Sequence, residues 1–129
     1  MQVYERKYIE MTRDMDLIRA VLLAIEGNPA CDGRHWVTLD PGQFKPHAID
    51  EINYHVQLLI EARFVEGNVG PVVPTISKLT WRGHEFLDNT RDQDIWSKTK
   101  ERIKGLASVA LSVAAEIAQA EVKKRLGLP

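Results

Sequence analysis

Two histidines and a carboxylate recur at four-residue spacing in the middle of the chain. His47, Glu51 and His55 are spaced so that a helix would turn them toward one face. Imidazole and carboxylate groups are ligands that zinc and iron accept in proteins. Two helical turns separate the outer histidines by about 12 Å along the axis, which one ion does not easily bridge. We therefore predict no metal site and no cofactor here, but a solvated helix face with His55 hydrogen-bonded near the core.

Residues with acid–base chemistry also cluster later in the chain, at His84, Glu85 and Asp88. General acid–base catalysis needs a cleft and a partnered nucleophile or water. The sequence has no Ser-His-Asp order, nucleophile elbow, phosphate-binding glycine loop or paired cysteines to accompany them. The single cysteine, Cys31, has no base near it in sequence. We therefore predict that the protein is not an enzyme and that His84 packs or caps at the junction between the wing and the helix that follows it.

A third set of polar residues could read DNA. Asn and Gln pair with adenine in the major groove, and Glu accepts a hydrogen bond from cytosine. The base-reading candidates are Asn53, Tyr54, Gln57 and Glu61, and the phosphate-contacting candidates are Lys45, Arg63 and Lys78. Asp50, Glu51 and Glu61 would instead repel the duplex. The set predicts either a DNA-binding surface or a surface that is solvated or binds a protein.

Charge is spread unevenly along the 129 residues, whose net charge is −1. Residues 1–97 hold 10 Lys and Arg against 15 Asp and Glu, whereas residues 98–129 hold 7 against 3. A basic face is the usual footprint of DNA binding, because affinity comes largely from neutralised phosphates. The first part lacks that excess, which weighs against strong DNA binding by that part alone. In a dimer, the basic residues of the second part could flank DNA.

The elements that would position these residues follow from apolar spacing and turn chemistry. Thr12 or Asp14 can cap a first helix, and its apolar stripe recurs at helical spacing. That stripe consists of Leu17, Ile18, Val21, Leu22 and Ile25. Gly27-Asn28-Pro29 ends the helix. His35–Leu39 is short and β-prone, which predicts one edge strand.

A helix-turn-helix is predicted next. Asp40-Pro41-Gly42-Gln43 begins a short helix, with Asp at the cap and Pro at the first helical position, and Pro46 stops it. A longer helix over 47–62 follows, and its buried stripe is Ile49, Ile52, Val56, Leu59 and Ile60. A short helix, a tight turn and an amphipathic helix make a helix-turn-helix, whose second helix would enter the major groove.

A wing and a helix start complete the pattern. Phe64–Glu66 and Ile76–Leu79 are predicted strands, and the loop over 67–75 between them, dense in turn residues, would touch the DNA backbone. Thr80 then caps a helix. Gly83 at its third position would let that first turn lie close against a neighbouring backbone.

The C-terminal part predicts further helix and a dimer contact. Asp92 or Asp94 can begin a further helix, whose apolar stripe continues past Gly105. Because Gly costs about 1 kcal/mol inside a helix, we expect either a bend or two separate helices at this residue. From Leu106 to Ala120, small apolar residues surround nearly the whole circumference, which requires cover on more than one side. The predicted dimer contact is Leu106, Val109, Ala110, Val113 and Ile117.

The three tryptophans stand at the starts of predicted elements. Each of Trp36, Trp81 and Trp96 lies next to an apolar stripe. That placement favours core and junction packing over base stacking or a ligand cage.

With these residues in hand, the chain resembles an uncharacterised family of small bacterial and phage-associated winged-helix proteins, known as a domain of unknown function. Five pieces carry the resemblance over roughly residues 11–128: residues 13–19, 54–62, 79–88 followed by 91–92, 96–98 and 126–128. The resemblance implies a winged-helix fold and no particular activity. Arg63 stands where the family would have Gly. Met11 matches the family's start, so residues 1–10 would be an extension.

The predicted architecture is therefore α+β, mainly helical. Residues 1–91 form a winged helix-turn-helix domain, and residues 92–129 form a C-terminal helical extension that makes a homodimer. The leading prediction is a small DNA-binding or regulatory protein, of phage or prophage origin; the alternative is a protein-interaction module using the same surface. The single cysteine, the absence of a signal-peptide core and apolar runs too short to span a bilayer predict a cytoplasmic location.

Overall fold

Five α-helices, one short 3₁₀ helix and one antiparallel pair of strands form the part of the chain that the computed structural model describes, residues 12–106 and 110–129. The predicted class, α+β and mainly helical, is confirmed. In chain order the elements are α1 (Met15–Glu26), the 3₁₀ helix (Pro41–Phe44), α2 (Ile49–Glu61), β1 (Val65–Asn68), β2 (Thr75–Leu79), α3 (Trp81–Thr90), α4 (Gln93–Ile103) and α5 (Leu111–Arg125). None of these helices is long and apolar enough to cross a membrane. The predicted N-terminal extension over 1–10 lies outside the described residues.

Helix α1 supplies a large share of the core because its apolar residues recur on one face. Asp14, one of the two predicted caps, begins the helix, and its side chain accepts a hydrogen bond from the backbone N–H of Leu17 at 3.1 Å. The predicted stripe is buried in full: Leu17, Ile18, Val21, Leu22 and Ile25. Helix α1 packs against α2, α3 and β2. The core therefore lies between α1 and these three elements.

The segment between α1 and α2 differs from the prediction in two places. The predicted strand His35–Leu39 is reduced to one bridge, in which Val37 exchanges backbone hydrogen bonds of 2.9 and 2.8 Å with Ile76. The predicted short helix is a four-residue 3₁₀ helix capped by the Asp40 side chain. The pairing with β2 does not continue, because the 3₁₀ helix begins directly after Asp40. Pro46 follows so soon that too few residues remain for the i to i+4 hydrogen bonds of an α-helix.

The C-terminus of α2 closes with a Schellman turn. The backbone N–H groups of Arg63 and Phe64 return to the carbonyls of Ile60 and Leu59 at 3.1 and 3.0 Å. Arg63 has a φ of 64°, the left-handed conformation that glycine adopts without strain. A side chain in that conformation costs about 1–2 kcal/mol. The turn is therefore retained in spite of the arginine.

The hairpin of β1 and β2 lies beside the C-terminal half of α2. The two strands pair antiparallel, with a bulge between Glu66 and Gly67. A Cβ atom at Gly67 would lie 2.5 Å from the carbonyl oxygen of Thr75 and 2.9 Å from Cδ1 of Ile60. Both predicted strands are present, with boundaries that differ by one or two residues. The glycine lets the hairpin approach α2 closely.

The first turn of α3 rests on the backbone that leaves α2. Thr80 caps the helix as predicted, since its Oγ1 accepts from the N–H of Gly83 at 3.2 Å. The N–H of Thr80 donates to the carbonyl of Phe64 at 3.1 Å. A Cβ atom at Gly83 would lie 2.2 Å from that same carbonyl oxygen. The close approach predicted for Gly83 is confirmed.

The C-terminal part forms two helices separated at a glycine. Asp92 caps α4, and Gly105 beyond its end has a φ of 89°, so the predicted interruption is confirmed. Helix α5 packs against α3 and α4, and its buried residues are Ala114 and Ala118. Trp96 on α4 is buried, and its indole Nε1 donates to Asp16 of α1 at 2.7 Å. The C-terminal helices are thus packed onto the rest of the chain.

Gly83→Ala should destabilise the protein strongly, because the new methyl group would collide with backbone that cannot move aside. Overpacking typically costs about 1–3 kcal/mol in the free energy of unfolding, and we expect the upper end of that range here, measured by urea denaturation. Gly27→Ala is the matched control. Its nearest neighbour, the Leu23 carbonyl oxygen, would lie 3.4 Å from the new Cβ, so it should be neutral or stabilise by up to about 1 kcal/mol. Equal effects of the two substitutions would contradict the close contact.

Candidate functional site

The exposed face of α2 carries the residues that the sequence proposed as DNA readers. At 100° per residue, Asp50, Asn53, Tyr54, Gln57 and Glu61 fall on one side of the helix. Asp50 and Glu61 are exposed, and the three residues between them are half-buried. The proposed base readers therefore share one surface, but a carboxylate stands near each end of it.

The predicted phosphate contacts lie on the surface around this helix. Lys45, Arg63 and Lys78 are all exposed. Lys78 Nζ lies 4.0 Å from a carboxylate oxygen of Glu66, so part of its charge is compensated. Arg82 is an exposed cation that the sequence analysis missed, and its guanidinium lies 4.8 Å from the centre of the Phe64 ring. No sequence signal could have placed Arg82 beside Phe64, because their proximity depends on how α3 rests on the end of α2.

The loop that joins β1 to β2 has a different character. Residues 69–74 contain no charged side chain. Within this loop Val72 is 85% exposed, and Val73 is also exposed. An apolar side chain that protrudes from a loop gains free energy only when a partner covers it. The tip of the hairpin is thus suited to an apolar contact and poorly suited to phosphate.

Two of the three tryptophans are not packed in the core. Trp36 is 62% exposed and Trp81 is 79% exposed, so the prediction that they pack is wrong for both. Trp36 stands next to a strand that is only one bridge long, and the Nε1 of Trp81 hydrogen-bonds Glu85 on the surface of α3. Trp96 is buried as predicted. A position at the start of an element does not distinguish a buried tryptophan from an exposed one. Burial depends on whether another element packs against the ring.

The histidines near the start of α2 have separate partners. His55 is buried; its Nδ1 donates to the carbonyl of Glu51 at 2.8 Å, and its Nε2 accepts from the backbone N–H of Asp14 at 2.9 Å. The predicted role of His55, hydrogen-bonded near the core, is confirmed. His47 Nδ1 instead lies 2.7 Å from Oε1 of Glu51. Asp14, which the sequence spacing did not include, lies close to His47 and Glu51.

The acid–base candidates on α3 each contact a different residue. His84 Nδ1 lies 3.8 Å from Glu26 on α1, while Glu85 bonds Trp81. Asp88 lies 3.4 Å from Arg91. These side chains do not converge on a common point where a substrate atom could sit. His84 pairs with α1 and not at the predicted junction between the wing and α3.

The pKa values of two side chains, Glu26 and Cys31, are shifted in opposite directions. The two hydrogen bonds from Arg91, at 2.6 and 2.8 Å, lower the pKa of Glu26 below its ordinary value. Burial raises the pKa of the Cys31 thiol, and the neighbouring Asp32 raises it further. A thiol with a raised pKa holds little of the reactive thiolate at neutral pH. The weak reactivity expected of Cys31 is consistent with this environment.

The residues proposed for a dimer contact are only partly exposed. Leu106 is 62% exposed and Val113 is 43% exposed. Ala110 is also exposed, whereas Ile117 is half-buried against the rest of the chain. Val109 lies outside the described residues. Among the proposed residues that lie within α5, Val113 therefore remains exposed after the alanines of this helix have packed against α3 and α4.

Comparison with known proteins identifies the family. Residues 12–110 match the DUF2513 family, which is described as a hypothetical protein. The chain belongs to the DUF2513 family. It is also similar to a Haemophilus influenzae Rd protein named as uncharacterized, with 30% identity over 121 residues that cover 90% of this chain and 99% of the relative. No solved structure matches the chain. The predicted membership of a domain-of-unknown-function family is thus confirmed.

In this member of DUF2513, Glu26→Gln should weaken the link between α1 and α3. Because Arg91 lowers the pKa of Glu26, the pair stabilises the folded state above the unfolded-state pKa of about 4.3. That stabilisation is lost as the pH falls through the lower pKa of the folded state. The pair is partly exposed, so we expect a cost of under about 1 kcal/mol at pH 7. Urea unfolding at pH 7 and pH 3 measures it.

Asp88→Asn provides the comparison, since Asp88 is more exposed and lies farther from Arg91 than Glu26 does. It should have a smaller effect than Glu26→Gln at pH 7. A difference between wild type and Glu26→Gln that persists undiminished at pH 3 would show that the substitution acts by some route other than the ion pair.

Proposed function

We propose that the DUF2513 chain is a winged helix-turn-helix in which α2 is the recognition helix. Support comes from the order of elements: α1, the Val37 bridge, the 3₁₀ helix, α2 and the β1–β2 hairpin. The bridge to Ile76 supplies the short third strand that such folds place between their first two helices. In this proposal residues 1–91 form the recognition domain and residues 92–129 an extension. The phage origin and cytoplasmic location implied earlier stay predictions.

We further propose that the recognition surface binds a protein. The observation that carries this proposal is the exposed face of α2, which bears Asp50 and Glu61 near its ends and no Lys or Arg between them. A duplex presents one phosphate charge about every 1.7 Å of its axis, so carboxylates at this position would be repelled. A protein surface with its own Lys or Arg would instead be attracted.

The hairpin loop adds an apolar anchor beside this charged face. Ile60 of α2 packs against Gly67 of β1, which keeps the hairpin next to the C-terminal half of α2. Covering a fully exposed valine side chain contributes about 1.5 kcal/mol. Val72 therefore has the exposure that an interface anchor requires. A partner that offers an apolar pocket flanked by basic residues fits both features.

DNA is the second candidate, and a specific group of cations favours it. Lys45, Arg63, Lys78 and Arg82 are all exposed around the ends of α2 and the hairpin. Arg63 and Arg82 make no ion pair within 4.0 Å among residues 12–106 and 110–129. If these residues contact phosphates, Asp50 and Glu61 near the ends of α2 would have to stay clear of the DNA backbone. A homodimer formed through α5 would bring two such groups together.

Capture from a lysate of the organism that encodes the chain tests the protein proposal. A partner should bind the nuclease-treated wild-type chain and bind Val72→Ser about tenfold less, because the apolar anchor is lost. Leu128→Ser is the control, since Leu128 is an exposed apolar residue beyond the end of α5, outside both the proposed surface and the proposed dimer contact. Equal recovery of every captured protein by wild type and Val72→Ser would contradict the proposed interface.

A variant of the same chain distinguishes DNA binding from protein binding. The double variant Arg63→Gly, Arg82→Gln removes two cations, and glycine suits the left-handed turn at residue 63. If DNA is the partner, a mobility shift at low salt should appear for wild type, and the variant should reduce the salt slope by about 2. A nuclease-sensitive partner together with that loss would replace the protein proposal with the DNA one.

We also propose that α5 and the segment before it mediate a homodimer, because Val113 and Leu106 stay exposed after intrachain packing. Val113→Asp would place a charge in that contact without touching Ala114 or Ala118. Light scattering after size exclusion should then give a dimeric mass for wild type and a monomeric mass for Val113→Asp. Wild type that elutes as a monomer at about 100 µM, a concentration well above the Kd of a stable dimer, would exclude the proposal.

A further inference from the structure

A groove of about 270 Å³ lies between α3 and α5. The buried rings of Phe64 and Phe86 line it, and they meet edge to face with centroids 5.7 Å apart. Ala115 of α5 adds a methyl group to this apolar lining. At about 30 Å³ for each water molecule, the groove holds about nine waters, or a ligand of about nine non-hydrogen atoms, the size of leucine. Small-molecule sites are concave and mainly apolar, with a few polar groups that orient the ligand.

The cation that lines this groove is Arg82, whose guanidinium carbon lies 4.8 Å from the centre of the Phe64 ring. Contact with an aromatic ring holds a guanidinium in place and does not use up its N–H groups. Within residues 12–106 and 110–129, Arg82 makes no ion pair within 4.0 Å. Arg82 therefore offers the paired N–H donors that bind a carboxylate through two parallel hydrogen bonds.

The anion that lines the same groove is Glu85, which follows Arg82 by three residues on α3. Its Oε1 accepts a hydrogen bond from Nε1 of Trp81. A carboxylate has two acceptor oxygens, so this bond leaves Oε2 for a further donor. Among the described residues, Glu85 and Arg82 do not form an ion pair with each other. The groove therefore presents one positive and one negative group that do not neutralise each other by direct contact.

A free α-amino acid matches these two charges. Side chains three residues apart on a helix start from Cβ atoms about 5–6 Å apart, and the long side chains of Arg82 and Glu85 can converge on one small zwitterion. A simple carboxylate would meet the like charge of Glu85, and a simple amine would meet that of Arg82. Asn89, which is half-buried in the groove, can donate to the ligand carboxylate or accept from its ammonium group.

We propose that this groove binds one free amino acid with an apolar side chain of about the size of leucine. Arg82 binds the carboxylate of the ligand, and Glu85 binds its ammonium group. The apolar side chain of the ligand covers Phe86 and Ala115. The bound amino acid would contact both the predicted recognition domain and the C-terminal extension, because α3 and α5 form the two sides of the groove. The proposal does not depend on whether α2 binds protein or DNA.

Calorimetric titration of the full chain with L-leucine tests this site. Wild type should bind one molecule per chain. Arg82→Gln should weaken binding about tenfold or more, because hydrogen bonds between charged groups are lost. Glu85→Gln should weaken binding by a similar factor, while its amide oxygen can still accept from Trp81. Arg34→Gln is the matched control, since Arg34 is also an exposed arginine but lies outside the groove, and it should bind L-leucine as wild type does.

Two derivatives of the ligand separate direct contacts from structural effects. N-acetyl-L-leucine lacks the ammonium group and L-leucinamide lacks the carboxylate, so each should bind wild type about tenfold or more weakly than L-leucine does. Glu85→Gln should cause no further loss for N-acetyl-L-leucine, and Arg82→Gln should cause none for L-leucinamide, because the partner of the substituted group is already absent. A substitution that merely disturbed the groove would weaken the binding of all three ligands alike.

Three results would overturn the proposal. The first is no uptake of L-leucine by wild type at ligand concentrations up to about 10 mM, which is well above the millimolar Kd of a weak specific site. The second is equal affinity of Arg82→Gln and wild type for L-leucine. The third is binding of N-acetyl-L-leucine as tightly as L-leucine, since the ammonium group would then have no partner. The circular dichroism of each variant confirms that it is folded before titration.

Discussion

The carbonyl group of Phe64 is the point on which the arrangement of α2, the hairpin and α3 depends. It accepts the hydrogen bond from Thr80 as β2 ends, and the bare α-carbon of Gly83 rests directly on it. The Phe64 ring meets Phe86 edge to face with centroids 5.7 Å apart. Because this backbone contact tolerates no side chain, the end of α2, the exit of the hairpin and the start of α3 hold one relative position.

A second set of contacts joins α1 to the C-terminal half and uses polar groups at the ends of helices. Arg19 donates to the last carbonyls of α3, those of Thr90 and Arg91, each at 2.8 Å. Trp96 reaches back to Asp16 from the other side. Such bonds satisfy groups that a helix end leaves without intrahelical partners. Helices α3 and α4 are thus oriented by α1, and α5 can pack on both.

This construction leaves both the polar face of α2 and the hairpin loop exposed. The core takes one face of α2, through Ile52, Val56 and Leu59, and the opposite face stays polar and acidic. The fold class would suggest DNA, but fold alone does not determine function. The charge of the exposed residues favours a protein partner, and the protruding Val72 adds the apolar contact that such an interface needs.

The sequence by itself determined the features that depend on neighbours along the chain. Caps at Asp14, Thr80 and Asp92, the buried stripe of α1 and the interruption at Gly105 all follow from local hydrogen bonding and helical spacing, which operate within a few residues. The meeting of Asp14 with His47, the proximity of Arg82 to Phe64 and the exposure of Trp36 and Trp81 were decided only by the tertiary structure. These features depend on which element lies opposite, and packing between segments far apart in sequence leaves no periodic signal in either one.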